Sequence, residues 1–383
     1  MLSFLKSITY LLCNLTGATN LVAKFTGVKF FLPQLFLLRY ANFAGVSPEN
    51  VAEKLSKCNS FDEKYWCNYW GSFAEQHEER ALSFVDNGDI DNAWKERKKA
   101  IAFYSAGAFP GTTPLRLASH AKAKDLFEKM IPLWNNRWEK VVLTINDDDV
   151  TGYLFIPDKT KKSPLILTTN GLEGTSPELV APMVDLQMDQ KNIAMFVMEM
   201  PGTYEYKTPM SEKSHEVYSK VIDYLAAHEN IDEDKISMFG VSFGAHWSAR
   251  MPAFDNRIKA SVVNGAPLLF DKAGIRPEVI IKAMKKVLGA DSFVSLVKAL
   301  KSLSFNNSDG EIFKKITIPM LVVNGDNDTL IPTSDSVALS EKIKDGTLKL
   351  YENDDHCAMG HYDEMIVYCV NWLEKKLADS STK

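Results

Sequence analysis

Ile236-Ser237-Met238-Phe239-Gly240-Val241-Ser242-Phe243-Gly244-Ala245-His246-Trp247 is the stretch that decides how this chain is read. Ile236–Phe239 is a short apolar run of strand type, and Ala245–Met251 has helical character. Gly240–Gly244 is therefore a strand-to-helix turn carrying G-x-S-x-G. In such a turn the serine takes a strained backbone conformation, and the flanking glycines remove side chains that would strike the neighbouring strand and helix. The hydroxyl is lifted to the sheet edge at a helix N-terminus, whose free N–H groups favour developing negative charge. The plain alternative is a glycine-rich turn with an idle serine.

Working outward, short apolar runs alternate with helical stretches: Leu165–Thr169, Ala194–Met198, Ile236–Phe239, Ala260–Val263, Met320–Val323 and Leu348–Tyr351. Ahead of them, Val141–Ile145 and Thr151–Ile156 flank Asn146-Asp147-Asp148-Asp149, a hairpin signal. The pattern predicts an α/β fold, a mostly parallel sheet with helices on both faces, opened by an antiparallel hairpin. Ligands in such sheets bind at the carboxyl ends of the strands.

A serine hydroxyl is a weak nucleophile without an adjacent base, and the base needs an orienting group. In this strand–turn–helix setting the chain order is serine, acid, histidine. Met320–Val323 leads into Asn324-Gly325-Asp326-Asn327-Asp328, and Asp328 is favoured over Asp326 by its place late in the loop. Turn chemistry is the bland reading of both aspartates. Of the two histidines that follow, His356 lies in a loop after a strand, whereas His361 opens the last helix and reads as a helix-terminal surface residue. His246, one helical turn past Ser242, reads as a packing residue. The oxyanion donors are expected to be the backbone N–H groups of Phe243 and Leu172, the latter from Asn170-Gly171-Leu172-Glu173-Gly174. Glu173 and Gly174 could instead hold that turn, and Glu173 is also a candidate substrate contact.

Before residue 138 the pattern is helical. Ser47-Pro48-Glu49 reads as a helix start, Asn87-Gly88-Asp89 as a break and Thr112-Thr113-Pro114 as another start. The expected organisation is a helical N-terminal cap domain over 1–137 and a catalytic domain over 138–383, with a helical lid insertion at about 267–316. Val279–Leu288 and Phe293–Leu303 supply the lid helices. Met1–Leu15 has apolar residues at helical spacing, one lysine (Lys6) and no A-x-A site, so it is not read as a secretory signal. Phe30–Leu38, interrupted by Pro33 and Gln34, is too short for a membrane span. The first reading of residues 1–38 is packing on the helical domain or a subunit interface, and the second is contact with a membrane surface.

The net charge of −5, from 44 basic and 49 acidic residues, argues against a nucleic-acid partner. The five cysteines are scattered, with no C-x-x-C pair, which points to a reducing, cytoplasmic location and to no metal site.

The helical N-terminal domain, Asn170-Gly171-Leu172-Glu173-Gly174, Met200-Pro201-Gly202, the serine turn and His356-Cys357 together resemble one family. It is the FrsA-like esterase and dihydroxypseudooxynicotine hydrolase-like group of the α/β-hydrolase superfamily. The resemblance runs from about Phe61 onward and leaves out Met1–Leu38. It implies ester hydrolysis, or cleavage of carbon–carbon bonds beside ketones, with the helical domain roofing the pocket and joining a homodimer.

The leading expectation is a cofactor-free serine hydrolase of carboxylic esters, with Ser242, His356 and Asp328 as its triad. The alternatives are a carbon–carbon hydrolase of ketone substrates, an acyltransferase, and a catalytically inert binding protein on the same scaffold. The partner is expected to be a small molecule with an apolar part, since Phe243, Trp247, Trp66 and Trp70 hint at an apolar pocket, though aromatic stripes are more often core.

Overall fold

Caps and breakers set the helices of the first third of the chain. α1 (Leu2–Thr16), α2 (Thr19–Thr26) and α3 (Gln34–Ala44) come first, with Pro33 ending the run before α3. Ser47 accepts from Asn50 N–H to start α4 (Pro48–Lys57), with Pro48 in its first turn. Asp62 accepts from Tyr65 N–H at the head of α5 (Glu63–Asp86), and Asp89 does the same for Asn92 in α6 (Ile90–Ala108). α7 (Pro114–Glu128) begins on proline. In a computed structural model that describes residues 2–270, 276–307 and 311–379, these helices form one compact unit. Its described residues run through Leu133 and take in 276–286. Its core is aromatic: Trp66 and Trp70 are fully buried, Phe36 packs edge-on against Trp66, and Phe103 stacks on Trp70.

The second unit begins at Trp134 and contains an eight-stranded sheet. Its elements are β1 (Trp138–Ile145), β2 (Asp148–Phe155), β3 (Ser163–Thr169), α8 (Ser176–Asp185), β4 (Ala194–Met198), α9 (His215–Ala226), β5 (Ile231–Val241), α10 (Phe243–Arg250) and β6 (Ile258–Asn264). α11 (Glu278–Val287) belongs to the helical unit through Lys286. α12 (Phe293–Leu303), α13 (Glu311–Lys315), β7 (Met320–Gly325), α14 (Thr333–Lys342), β8 (Gly346–Tyr351) and α15 (Tyr362–Asp379) complete the sheet unit. The stretch 267–316 is thus divided between the two units.

Strand order is β1-β2-β4-β3-β5-β6-β7-β8, antiparallel for β1/β2 and β2/β4 and parallel elsewhere. This is the α/β-hydrolase fold, opened by its antiparallel strands. β3 is followed by β4 on one side and β5 on the other, so the order reverses between β3 and β5. Their carboxyl ends border the crevice where ligands bind in open α/β sheets. The Asn170–Gly174 loop leaves β3 there, and Ser242 leaves β5.

α10 lies against the sheet through small residues. Ala245 and Ala249 join Val263, Leu268, Phe305, Met320, Val322 and Leu339 in one buried cluster. A Cβ on Gly244 would stand 2.4 Å from the Asn170 carbonyl oxygen and 2.5 Å from that of Thr169. Both obstacles are backbone, which cannot swing aside as a side chain could. Gly244→Ala is therefore expected to destabilise the protein by about 1–3 kcal/mol, read as a lower urea midpoint at unchanged slope.

Candidate active site

Ser242 sits at the junction of β5 and α10 with φ 55° and ψ −122°, a conformation that non-glycine residues hold only when their surroundings impose it. Its N–H donates to the Asn264 carbonyl at 2.7 Å, tying the turn to β6. Gly171 presses on it from the other side, where a Cβ would lie 2.6 Å from the Ser242 Cβ and 3.0 Å from the Phe243 nitrogen. The helix starts at Phe243, two residues earlier than the sequence pattern suggested, so the Phe243 N–H has no acceptor within the helix.

His356 comes from the loop after β8 and is 1% exposed. Its Nε2 accepts from the Ser242 hydroxyl at 2.8 Å, and its Nδ1–H donates to Asp328 Oδ2 at 2.7 Å. The Asp328 side chain is wholly shielded from solvent. Its Oδ1 accepts from the N–H groups of Leu330 and Ile331, each at 2.8 Å, and its Oδ2 also accepts from Asn324 Nδ2 at 2.8 Å. Ser242, His356 and Asp328 are therefore joined in one continuous hydrogen-bonded row.

The two carboxyl–imidazole partners shift each other's proton affinity. Burial alone would raise the Asp328 pKa, but the His356 ring and the Ile331 and Asn324 donors outweigh it and hold the carboxyl below its usual range. For His356, burial disfavours the charged ring. The Cys357 sulfur and the Asp328 carboxylate work the other way and leave the imidazole with a pKa well above its ordinary value. His246 is different. Burial and nearby Arg250 push it down to about 3, and it donates from Nδ1 to the Pro267 carbonyl at 2.9 Å. It is a neutral packing residue wedged against Trp247 and Phe305.

Leu172 is the second residue of a tight turn closed by Gly174 N–H to the Gly171 carbonyl at 3.0 Å, a place whose own N–H the turn does not use. Glu173, the third residue, takes φ 61° and is fully buried, and its carbonyl accepts from the Tyr204 hydroxyl at 2.5 Å. Glu173 thus holds the turn. Asn170 braces the loop from within, accepting from Gly171 N–H at 3.0 Å and donating to the Thr175 carbonyl at 3.1 Å. Asp326 is exposed, and His361 pairs with Asp354 at 2.8 Å. Trp66, Trp70 and Trp247 are buried core. Among the described residues, no group of three or more His, Cys, Asp or Glu side chains is set to hold a metal ion.

Sequence reading missed the residues that hold the acid and histidine loops together. Asn324 Oδ1 accepts from Gly325 and Cys357 N–H groups, both at 2.9 Å, while its Nδ2 holds Asp328. Asp355 accepts from Thr329 N–H at 2.7 Å and from His356 N–H at 2.8 Å. Buried Asp354 accepts from Gly360 and His361 N–H groups. Cys357 and Ala358 follow in left-handed conformations, with φ 61° and 52°. The available signal was the polar residue at the end of β7 and the paired acids directly before His356.

With this geometry established, comparison with known proteins defines the class. The chain belongs to the family described as Esterase FrsA-like, whose profile matches residues 50–378. It is a hydrolase-family protein of the α/β-hydrolase superfamily. Among individual relatives, it is 20% identical over 327 residues to Esterase FrsA of Photobacterium profundum, covering 82% of this chain and 77% of that one. It is 24% identical over 298 residues to 2,6-dihydropseudooxynicotine hydrolase of Paenarthrobacter nicotinovorans, covering 76% and 79%. The crystal structure of 2,6-dihydroxy-pseudo-oxynicotine hydrolase superimposes with a TM-score of 0.74 at 21% identity, over 88% of this chain and 95% of that one.

Three outcomes are expected of this geometry if His356 acts as a base. The base must be neutral to act, so a raised His356 pKa places the acid limb of kcat/KM above pH 6.5, with activity rising as pH increases. Asp328→Asn should lower kcat by about 10⁴-fold and move any residual limb to lower pH, which a pH–rate profile reads. Asn324→Ala keeps Ser242, His356 and Asp328 but removes the amide that ties both loops. It is expected to cost about ten- to a hundredfold in kcat/KM with the protein still folded by circular dichroism.

Proposed function

We propose that the protein is a serine hydrolase that cleaves carboxylic esters through an acyl-enzyme. The observation that carries this reading is the row Ser242 Oγ, His356 and Asp328, with contacts of 2.8 and 2.7 Å. The Ser242 oxygen attacks the acyl carbon while His356 Nε2 takes the hydroxyl proton. Asp328 keeps Nδ1 protonated and stabilises the imidazolium that forms. The Phe243 and Leu172 N–H groups receive the negative charge on the carbonyl oxygen. His356 returns the proton to the departing alcohol as the C–O bond breaks. It then draws a proton from water, which attacks the acyl-serine and frees the acid.

A backbone held at φ 55° on a serine favours catalysis over an inert scaffold, because such strain persists where function uses it. All five cysteines are free and four of them are buried, in keeping with a cytoplasmic location. Carbon–carbon cleavage beside a ketone is the second reading, since a pseudooxynicotine hydrolase is among the relatives.

Turnover of p-nitrophenyl acetate and butyrate, set beside aryl β-diketones, separates the two. On the ester reading the wild type releases p-nitrophenol, and Ser242→Ala loses about 10⁴-fold or more of kcat. Diketone cleavage without ester turnover would move the assignment to the carbon–carbon reading. An unchanged rate in Ser242→Ala would remove the serine from the mechanism.

A further inference from the structure

α1 is held to its own unit by its polar face. Cys13 is buried, the Tyr10 hydroxyl donates to the Phe30 carbonyl at 2.7 Å, and the Lys6 ammonium lies 5.5 Å from the Phe30 ring centre. Asn14 Nδ2 donates to the Arg276 carbonyl at 2.9 Å. The apolar side chains point the other way. Leu5, Ile8, Leu11, Leu12 and Leu15 recur at helical spacing along one stripe, and each is between 39% and 74% exposed. α2 repeats the arrangement: Thr19 and Ala23 are buried, while Leu21 and Phe25, four apart, are 60% and 85% exposed. A solvated helix normally has the opposite polarity, and a contiguous apolar surface marks an interaction site.

Charge selects the occupant. Residues 1–48 carry Lys6, Lys24, Lys29 and Arg39 and no Asp or Glu, so the remainder of the chain carries a net −9. Glu278, the carboxylate beside the start of α2, is already engaged by Thr19 and Lys282. Twofold pairing with a second copy would set two segments of like positive charge against each other. Anionic lipid headgroups complement Lys24 and Lys29, both exposed, while the acyl boundary takes up the leucines and Phe25. Among the described residues, no helix is long and apolar enough to cross a membrane, so the helices would lie along the surface.

We propose that the outward faces of α1 and α2 dock on the surface of an anionic lipid bilayer. This rests on exposure and charge, and is independent of the reading of Ser242. The test is co-sedimentation of the full chain with phosphatidylcholine vesicles, with and without phosphatidylserine, at low and high salt. Oligomeric state is followed by analytical ultracentrifugation. The comparison protein is the triple variant Leu12→Glu, Leu15→Glu, Phe25→Glu, in which only exposed positions change and circular dichroism checks folding. The wild type is expected to sediment with phosphatidylserine vesicles, to be released by salt, and to lose about tenfold or more of its binding in the triple variant. Three results would overturn the proposal: no binding to anionic vesicles, equal binding by the folded variant, or a wild-type dimer that the variant dissolves without any vesicle binding. The last would assign the face to a second copy of the chain.

Discussion

The site depends on one constraint: a serine held at positive φ between a strand and a helix. Gly171, Gly240 and Gly244 make this tolerable because each lies where a Cβ would enter neighbouring backbone. For Gly240 the obstacle is the Gly244 carbonyl oxygen at 2.3 Å, so β5 and α10 almost touch through the turn. The close approach fixes the hydroxyl, the start of α10 and the β3 loop with respect to one another. Rigid secondary structure then supplies precision that loops alone would not.

The histidine and its acid come from two separate loops, and their alignment is achieved by buried polar side chains. Asn324 spans both loops through one amide, and Asp355 crosses from the histidine loop to Thr329. Gly265, with φ 70°, lies under the ring: a Cβ there would stand 2.6 Å from Cys357 Sγ and 3.1 Å from His356 Cε1. Each of these hydrogen bonds is modest alone. Together, away from water, they make the imidazole's position a property of the loops as a pair. The same low dielectric lets the Asp328 charge act strongly on His356.

Much of the fold was legible because apolar periodicity and turn residues were consistent. Strand β4 and helix α12 fall where their apolar patterns end, and Asn87-Gly88 separates α5 from α6. The apolar pattern predicts β5 only over Ile236–Phe239, whereas the strand runs from Ile231 to Val241, because Asp232-Glu233-Asp234-Lys235 gives no apolar signal. Chain order and loop position are what point to Ser242, Asp328 and His356. Asn324, Asp354 and Asp355 were not identified because a polar side chain in a loop looks alike whether it faces water or fastens another loop. Burial distinguishes the cases, and burial is a three-dimensional property. The apolar N-terminus shows the reverse failing: the helical spacing was plain in the sequence, but which face turned outward was not.

The most direct measurement is the intact mass of the protein after reaction with a fluorophosphonate, with peptide mapping of the adduct. One phosphonyl group on Ser242, absent when His356 is replaced by alanine, is the predicted result. A folded protein that takes up no label while small esters are still hydrolysed would contradict a nucleophilic role for Ser242, as would a label mapped to another residue.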